Sequence, residues 1–198
     1  MVPIQLYLCG GGFHAFWYHI GYVLSLRSST DRRIVCTGSS AGALAAWTLA
    51  HRDVTKERLV RIARALVSTT VYTLDAWVRR FTAAITIDCG PSFDQRLYGG
   101  AYVTTPCDRT PVCIRTATPT LDVRASCFIP IVNGKAWTFN GYWDGSLGRF
   151  PQLRKDVRIV DCGKLPWNCL FPLYVHVAQY DRGALDARGF RLPTQSSL

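Results

Sequence analysis

Hydrophobic runs alternate with glycine turns and helical spacing over the first fifty residues. Residues 4–9 are typical of a short buried strand that ends at three glycines, and residues 13–26 then show helical spacing rich in aromatics. A second strand is predicted at 33–37, a tight turn follows, and Ala41 to Ala50 are predicted to form a helix of small and apolar residues. This repeated order predicts an α/β layered sheet with parallel strands and helices on both faces.

The pattern from Thr55 to about Ala84 predicts one long amphipathic helix. Its apolar positions and its arginines fall on opposite sides, with Leu59, Ile62, Ala63 and Leu66 on one side and Arg58, Arg61 and Arg64 on the other. Such a basic helix is typical either of an ordinary surface helix packed on its own core or of a helix that binds a membrane surface or a partner.

The second half of the chain is less regular, because glycine and proline interrupt its periodic segments. The pattern predicts short strands at 101–105 and 111–116, a helix or a strand over 121–132 that breaks at Pro130, late strands at 157–161 and 173–178, and a frayed tail after Arg188.

Length and hydropathy indicate a single domain. The chain has 198 residues, 48% of them hydrophobic, which is enough for one full-sized core. No run of about 18 consecutive apolar residues is present to span a bilayer, and the first residues lack a basic, then apolar, secretion signal. We therefore expect one domain over 1–198 that is cytoplasmic and either soluble or peripherally associated with membranes.

The formal net charge of +10 comes almost wholly from arginine, and Glu57 is the single glutamate of the chain. This balance favours an anionic partner, either nucleic acid or an anionic lipid surface, since both act through the same screened attraction. A basic face kept for solubility is the third interpretation. No nucleic-acid partner is expected, because no recognised DNA- or RNA-binding pattern accompanies the charge.

The eight cysteines and four histidines do not show the spacing of a metal site. No C-x-x-C pair occurs, and the histidines do not cluster with cysteines at ligand spacing. We expect no metal and no cofactor.

The stretch Gly38-Ser39-Ser40-Ala41-Gly42 fits the G-x-S-x-G nucleophile elbow. In that turn the serine takes a strained conformation between a strand and a helix, and the flanking glycines avoid collisions with neighbouring backbone. The predicted strand before it and the predicted helix after it supply the context that the motif requires. Ser40 is therefore a candidate nucleophile, with Gly38 and Gly42 as the elbow glycines.

Gly10, Gly11 and Gly12 follow the first predicted strand and precede a helix. Their backbone N–H groups are unscreened by side chains and lie where the helix dipole favours negative charge, which suits an oxyanion. A phosphate-binding loop is the alternative, but no G-K-[ST] follows, and Ala15 stands where the third glycine of G-x-G-x-x-G would be.

A serine nucleophile needs a base, and two candidates stand out. Asp144 follows two aromatics and precedes a glycine, so apolar walls would raise its pKa toward that of a useful base, although Asp-Gly is also a common structural turn. His176 would complete the chain order Ser40, Asp144, His176 of an α/β-hydrolase triad. Its position inside an alternating run, and not on a loop beyond a strand end, is more typical of a structural histidine.

Five short stretches, taken together and in order, closely resemble those of the patatin-like phospholipases. The similarity extends to the animal lipid-droplet lipases of that family. The stretches are Cys9-Gly-Gly-Gly-Phe13, Tyr18-His-Ile-Gly21, Gly38-Ser-Ser-Ala-Gly42, Ala125-Ser-Cys-Phe-Ile-Pro130 and Trp143-Asp-Gly-Ser146. The resemblance covers about residues 4–153.

The resemblance implies a patatin-type α/β/α domain with a Ser–Asp dyad and no catalytic histidine. Ser40 would attack the ester carbonyl of a phospholipid or an acylglycerol, and Asp144 would take its proton. The N–H groups of Gly10, Gly11, Gly12 and Ala41 would hold the oxyanion. The implied partner is a lipid substrate at a membrane or lipid-droplet surface, with anionic lipid favoured by the net charge.

The chain also departs from the family pattern. Phe13-His14-Ala15 stands where many members carry arginine or lysine, and the stretch to Gly21 is about one residue longer than in the animal enzymes. Ser146 replaces a glycine or alanine, and Arg149-Phe150-Pro151 replaces Asn-x-Pro. Three hypotheses therefore stay open: a dyad hydrolase, a catalytically silent lipid-binding or regulatory module, and a Ser-Asp-His esterase.

Overall fold

The computed structural model describes residues 2–67, 73–130, 132–133, 136–164 and 176–189, which contain six strands and six helices. The strands are β1 (Ile4–Leu8), β2 (Ile34–Ser39), β3 (Tyr98–Thr104), β4 (Pro111–Ile114), β5 (Trp143–Asp144) and β6 (Val157–Val160). The helices are α1 (Gly12–Ser28), α2 (Ala41–Leu49), α3 (Lys56–Val67), α4 (Leu74–Cys89), α5 (Pro119–Ser126) and α6 (Ala178–Arg188).

The strands form one mixed sheet in the order β4-β3-β2-β1-β6, with β5 paired to β3. The pairs β1–β2, β2–β3 and β1–β6 are parallel, whereas β4 and β5 run antiparallel to β3. The class is thus α/β with mostly parallel strands, as the alternating sequence pattern predicts. Parallel strands bring the carboxyl ends of β1, β2 and β3 to the same edge of the sheet.

The register at that edge places two distant segments side by side. β2 pairs with β3 up to Ser39, which lies opposite Tyr102. β5 pairs with β3 one residue further on, where Asp144 lies opposite Val103, while β4 takes the other edge of β3. β5 therefore pairs with the same edge of β3 as β2 does, just beyond the last residue of β2.

Helix α1 is the centre of the core, and it packs against α6 and α2. Phe16 and Trp17 of α1 are fully buried, and the Phe16 ring contacts Phe81 of α4 edge-on. Two glycines allow α1 and α6 to touch through their backbones: a Cβ at Gly21 would lie 1.9 Å from the carbonyl oxygen of Tyr180, and one at Gly183 would lie 2.0 Å from that of Tyr18, far inside van der Waals contact.

The single long helix predicted from Thr55 to Ala84 is wrong, because the structure has two helices there, α3 and α4. Helix α4 begins anew at Thr73, whose hydroxyl accepts a hydrogen bond from the N–H of Ala76 as an N-cap. Residues 68–72 lie outside the described part. Within α3 the predicted apolar side is buried, since Leu59, Ile62 and Ala63 face the core.

The strand predicted at 173–178 is also wrong where the structure describes it. Residues 173–175 lie outside the described part, and Ala178 begins helix α6, which packs on α1. Of the helix or strand predicted over 121–132, the structure shows a helix that ends at Ser126. The strand predicted at 157–161 is present as β6. The tail from 190 onward lies outside the described residues.

Candidate active site

Ser40 occupies the turn between β2 and α2 in a strained backbone conformation. Its φ is 52° and its ψ is −125°, a region that residues with a side chain rarely adopt. A Cβ at Gly38 would lie 2.4 Å from the carbonyl carbon of Gly42, and one at Gly42 would lie 2.0 Å from the oxygen of Leu8. Both glycines are therefore required, and the sharp turn presents Ser40 at the carboxyl edge of the sheet.

Asp144 is held at the same edge by backbone contacts on both sides. Its N–H donates to the carbonyl of Phe128 over 2.7 Å, and the N–H of Gly145 donates to the carbonyl of Ser126 over 3.1 Å. A Cβ at Gly145 would lie 2.0 Å from the oxygen of Tyr102, so only glycine fits after the aspartate. The structure thus brings Asp144 beside Ser40 through pairing that local sequence does not encode.

The Asp144 carboxyl is buried and only partly satisfied. Its side chain is 1% exposed; Oδ1 accepts a hydrogen bond from the N–H of Ser146 over 2.7 Å, and Oδ2 has no partner of regular hydrogen-bond geometry. Burial raises the pKa of Asp144 to about 6, and the nearby hydroxyl of Ser40 and the N–H and hydroxyl of Ser146 moderate this rise. A carboxylate with a pKa in this range can accept a proton near neutral pH.

The C-terminal end of α5 fixes the backbone of the elbow. The N–H of Ser40 donates to the hydroxyl of Ser126 over 2.9 Å, and that hydroxyl donates to the carbonyl of Tyr102. The thiol of Cys127 donates to the carbonyl of Ser40 over 3.2 Å. Ser126 and Cys127 belong to one of the stretches that resemble the family, but the sequence predicts no role for them, because no local spacing signals these contacts.

The glycine loop lies against Ser40. A Cβ at Gly10 would lie 3.3 Å from the Cβ of Ser40, and Gly11 and Gly12 have φ values of 146° and 59° at the start of α1. Ala41 is the first residue of α2. The N-terminal ends of α1 and α2 therefore converge on Ser40, and their N–H groups and dipoles favour negative charge there.

A small apolar cavity opens beside Ser40. It lies between the two helix N-termini and is closed on its far side by α4 and the segment after α5. Its walls are Gly12, Phe13, Ser40, Ala41, Leu44, Leu74, Val78, Cys127 and Ile129. The Phe13 ring rests on Trp77 at 4.6 Å between centroids, which fixes one wall. The cavity has a volume of about 20 Å³, room for about one water molecule, and its walls are mostly apolar.

His176 packs against helix α1. Its ring lies edge-on to that of His14, with 5.9 Å between centroids. Among the described residues, the side chains that shift the pKa of Asp144 are Ser40 and Ser146, and no histidine is one of them. His19 is buried and bonds the carbonyl of Cys9, and burial lowers its pKa to about 4.

Searches for related proteins do not assign the chain to a family: no family model matches it, and no curated protein matches it significantly. Within the described ranges, no group of three or more histidine, cysteine or acidic side chains is placed to hold a metal ion.

Proposed function

We propose that this protein is a lipid acyl hydrolase of patatin type, which cleaves carboxylic esters of phospholipids or acylglycerols with a dyad of Ser40 and Asp144. The observation that carries the proposal is the strained turn at Ser40 beside the buried Asp144 carboxylate, with which the Ser40 hydroxyl interacts. Backbone strain and a buried charge each cost stability, and they are commonly kept where they serve chemistry. The patatin-type α/β/α layering belongs to the same proposal.

In the first half-reaction, Oδ2 of Asp144 takes the proton of the Ser40 hydroxyl as Oγ attacks the ester carbonyl carbon. The tetrahedral intermediate collapses to an acyl-enzyme on Ser40, and the alcohol leaves with the proton from Asp144. In the second, Asp144 takes a proton from water, whose oxygen attacks the acyl carbon. The fatty acid leaves, and Ser40 regains its proton.

The oxyanion of each intermediate would lie at the converging helix N-termini. Gly10, Gly11 and Gly12 on one side and Ala41 on the other supply N–H donors at fixed positions. A preorganised donor of this kind is worth about 3 kcal/mol of transition-state stabilisation. At Gly10, a side chain would collide with the hydroxyl of Ser146 and crowd Ser40.

A lipid substrate is supported by the apolar cavity and by the charge. The walls of the cavity beside Ser40 are mostly apolar, and its volume of about 20 Å³ would have to widen to take the start of an acyl chain. The net charge of +10 favours an anionic interface, in the cytoplasm and at the surface of a membrane or lipid droplet. Within the described residues, no helix has the length and hydropathy to cross a bilayer.

The basic side of α3 contributes less to such docking than its sequence suggests. Arg61 forms an ion pair with Asp88 of α4 at 2.5 Å, and Arg58 lies 3.8 Å from the same carboxylate. Two of the three arginines on this side are therefore partly neutralised within the fold.

The test is fatty-acid release from phospholipid vesicles and acylglycerol emulsions by the wild-type protein and by Ser40→Ala. We expect release by the wild type and none by the variant. A folded wild type that binds these lipids without releasing fatty acid would contradict the proposal and favour a silent lipid-binding module.

A further inference from the structure

A short hairpin of aromatic residues leads into Asp144. Phe139 and Tyr142 exchange both backbone hydrogen bonds at 3.0 Å across the turn Asn140-Gly141. Both turn residues have positive φ, 51° and 82°, as a tight two-residue hairpin requires. We call residues 136–143 the aromatic hairpin, since four of its eight residues are Trp137, Phe139, Tyr142 and Trp143.

The aromatic hairpin is braced by its own side chains. The indole N–H of Trp143 donates to the carbonyl of Trp137 over 2.9 Å, and the two indoles pack edge to face at 5.3 Å. The Arg124 guanidinium lies 4.6 Å from the centre of the Phe139 ring. Despite these contacts, the Trp137 side chain is 67% exposed. A large aromatic held in place yet open to solvent loses little entropy when it binds.

The surroundings of the hairpin are apolar and basic. Leu147 and Phe150, just after Asp144, are exposed. Arg109 and Arg149 are exposed on the same edge, and the N–H of Arg149 donates to the carbonyl of Arg109. Exposed large apolar side chains beside arginines, next to a reactive centre, are typical of an interaction surface.

We propose that the aromatic hairpin, with Trp137 at its exposed end, inserts into the interface of an anionic lipid surface and holds the Ser40 cavity against it. Indoles favour the boundary between head groups and acyl chains, and arginines favour anionic head groups. Because the hairpin ends at Asp144, insertion there brings the interface to the reacting groups. The inference rests on the proposed function and places docking at the site edge instead of on α3.

The test measures vesicle binding in the Ser40→Ala background, so that lipid is not consumed. We expect Trp137→Ala to weaken binding to phosphatidylcholine vesicles that contain phosphatidylserine about tenfold, in line with the apolar area removed. Trp137→Phe should restore most of the binding. Ile87→Ala, which removes an exposed apolar side chain of α4, is the matched control and should bind as its parent does. Equal binding by Trp137→Ala and Ile87→Ala would overturn the inference.

Activity separates this inference from the proposed function. With Ser40 intact, Trp137→Ala should lower the ratio of fatty-acid release from vesicles to hydrolysis of a soluble butyrate ester about tenfold. If the wild type hydrolyses both substrates and Trp137→Ala leaves the ratio unchanged, membrane docking by the aromatic hairpin is refuted and the proposed hydrolase activity stands. If the wild type hydrolyses neither substrate while Trp137→Ala loses vesicle binding, the proposed hydrolase activity is refuted and docking by the aromatic hairpin stands.

Discussion

Glycine brings backbones into close contact both at the elbow around Ser40 and at the crossing of α1 and α6. A Cβ at Gly42 would lie 2.0 Å from the oxygen of Leu8, and one at Gly183 would lie 2.0 Å from the oxygen of Tyr18. The two contacts are equally tight. Tight glycine packing alone therefore does not distinguish a functional site from a structural one.

The difference lies in what the contact imposes on its neighbours. At the crossing, both glycines have ordinary helical backbones, and the hydroxyl of Tyr18 donates to Asp186 over 2.8 Å. At the elbow, Ser40 takes a left-handed φ and the buried Oδ2 of Asp144 has no partner of regular geometry. We infer that the crossing serves stability and that the elbow gives up stability for reactivity.

The largest expected effect is that of Ser40 itself. Ser40→Gly should abolish ester hydrolysis, a loss on the order of a million-fold for a nucleophile. The same change should raise the free energy of unfolding by about 1 kcal/mol, because glycine accepts the left-handed φ. Activity assays and denaturant unfolding check both halves. Lost activity together with lost stability would show that the elbow is structural like the crossing.

Asp144 should control the pH dependence. With a pKa of about 6, its carboxylate form is lost below that pH, so kcat/KM should fall about tenfold per pH unit on the acidic side and level off above pH 7. Asp144→Asn should lower kcat/KM above pH 7 by about a thousand-fold and should abolish the fall in kcat/KM on the acidic side. A pH profile that is flat from pH 5 to pH 8 in the wild type would argue against this base.

The same pKa predicts a cost in stability. The folded pKa lies above the ordinary value of 3.8, so the folded protein binds the proton more tightly than the unfolded chain does. The contribution of Asp144 to the free energy of unfolding is fully present below about pH 4 and is lost as the pH rises through 6. The loss is on the order of 3 kcal/mol. Relative to Asp144→Asn, the wild type should therefore lose stability over this range.

At the crossing, Gly183→Ala should act on stability alone. The added methyl collides with the carbonyl of Tyr18, which should cost about 1–3 kcal/mol and lower Tm by several degrees. Activity per folded molecule should persist. Gly189→Ala is the matched control, since its nearest neighbour would be 3.5 Å away, and it should leave Tm nearly unchanged.

The smallest effect is expected from His176. It packs against His14, and it is not among the described groups that shift the pKa of Asp144. His176→Gln should keep kcat/KM within about threefold of the wild type, in contrast to the large losses at a general base. A loss as large as that of Asp144→Asn would restore the triad hypothesis.

The strand, the tight turn and the helix around Ser40 were predictable from the sequence, because all three are local patterns. The position of Asp144 beside Ser40 was not predictable from sequence spacing, because it depends on the pairing of β5 with β3 beyond the end of β2. The role of Ser126 was missed for the same reason. Its hydroxyl meets Ser40 only in the folded chain.

Two predictions of secondary structure were wrong because they rested on local sequence pattern where tertiary packing determines the structure. Alternating residues around His176 predicted a strand, but Ala178 begins a helix that packs on α1. Continuous helical periodicity hid the break at Thr73, whose capping hydroxyl was the available signal.

The most direct test of the central claim is labelling with a fluorophosphonate, which traps activated serines, followed by peptide mass spectrometry. The account predicts an adduct on Ser40 of the wild type that is lost with Asp144→Ala and retained with His176→Ala. A folded wild-type protein that forms no adduct, or one that is labelled at another serine, would contradict the account.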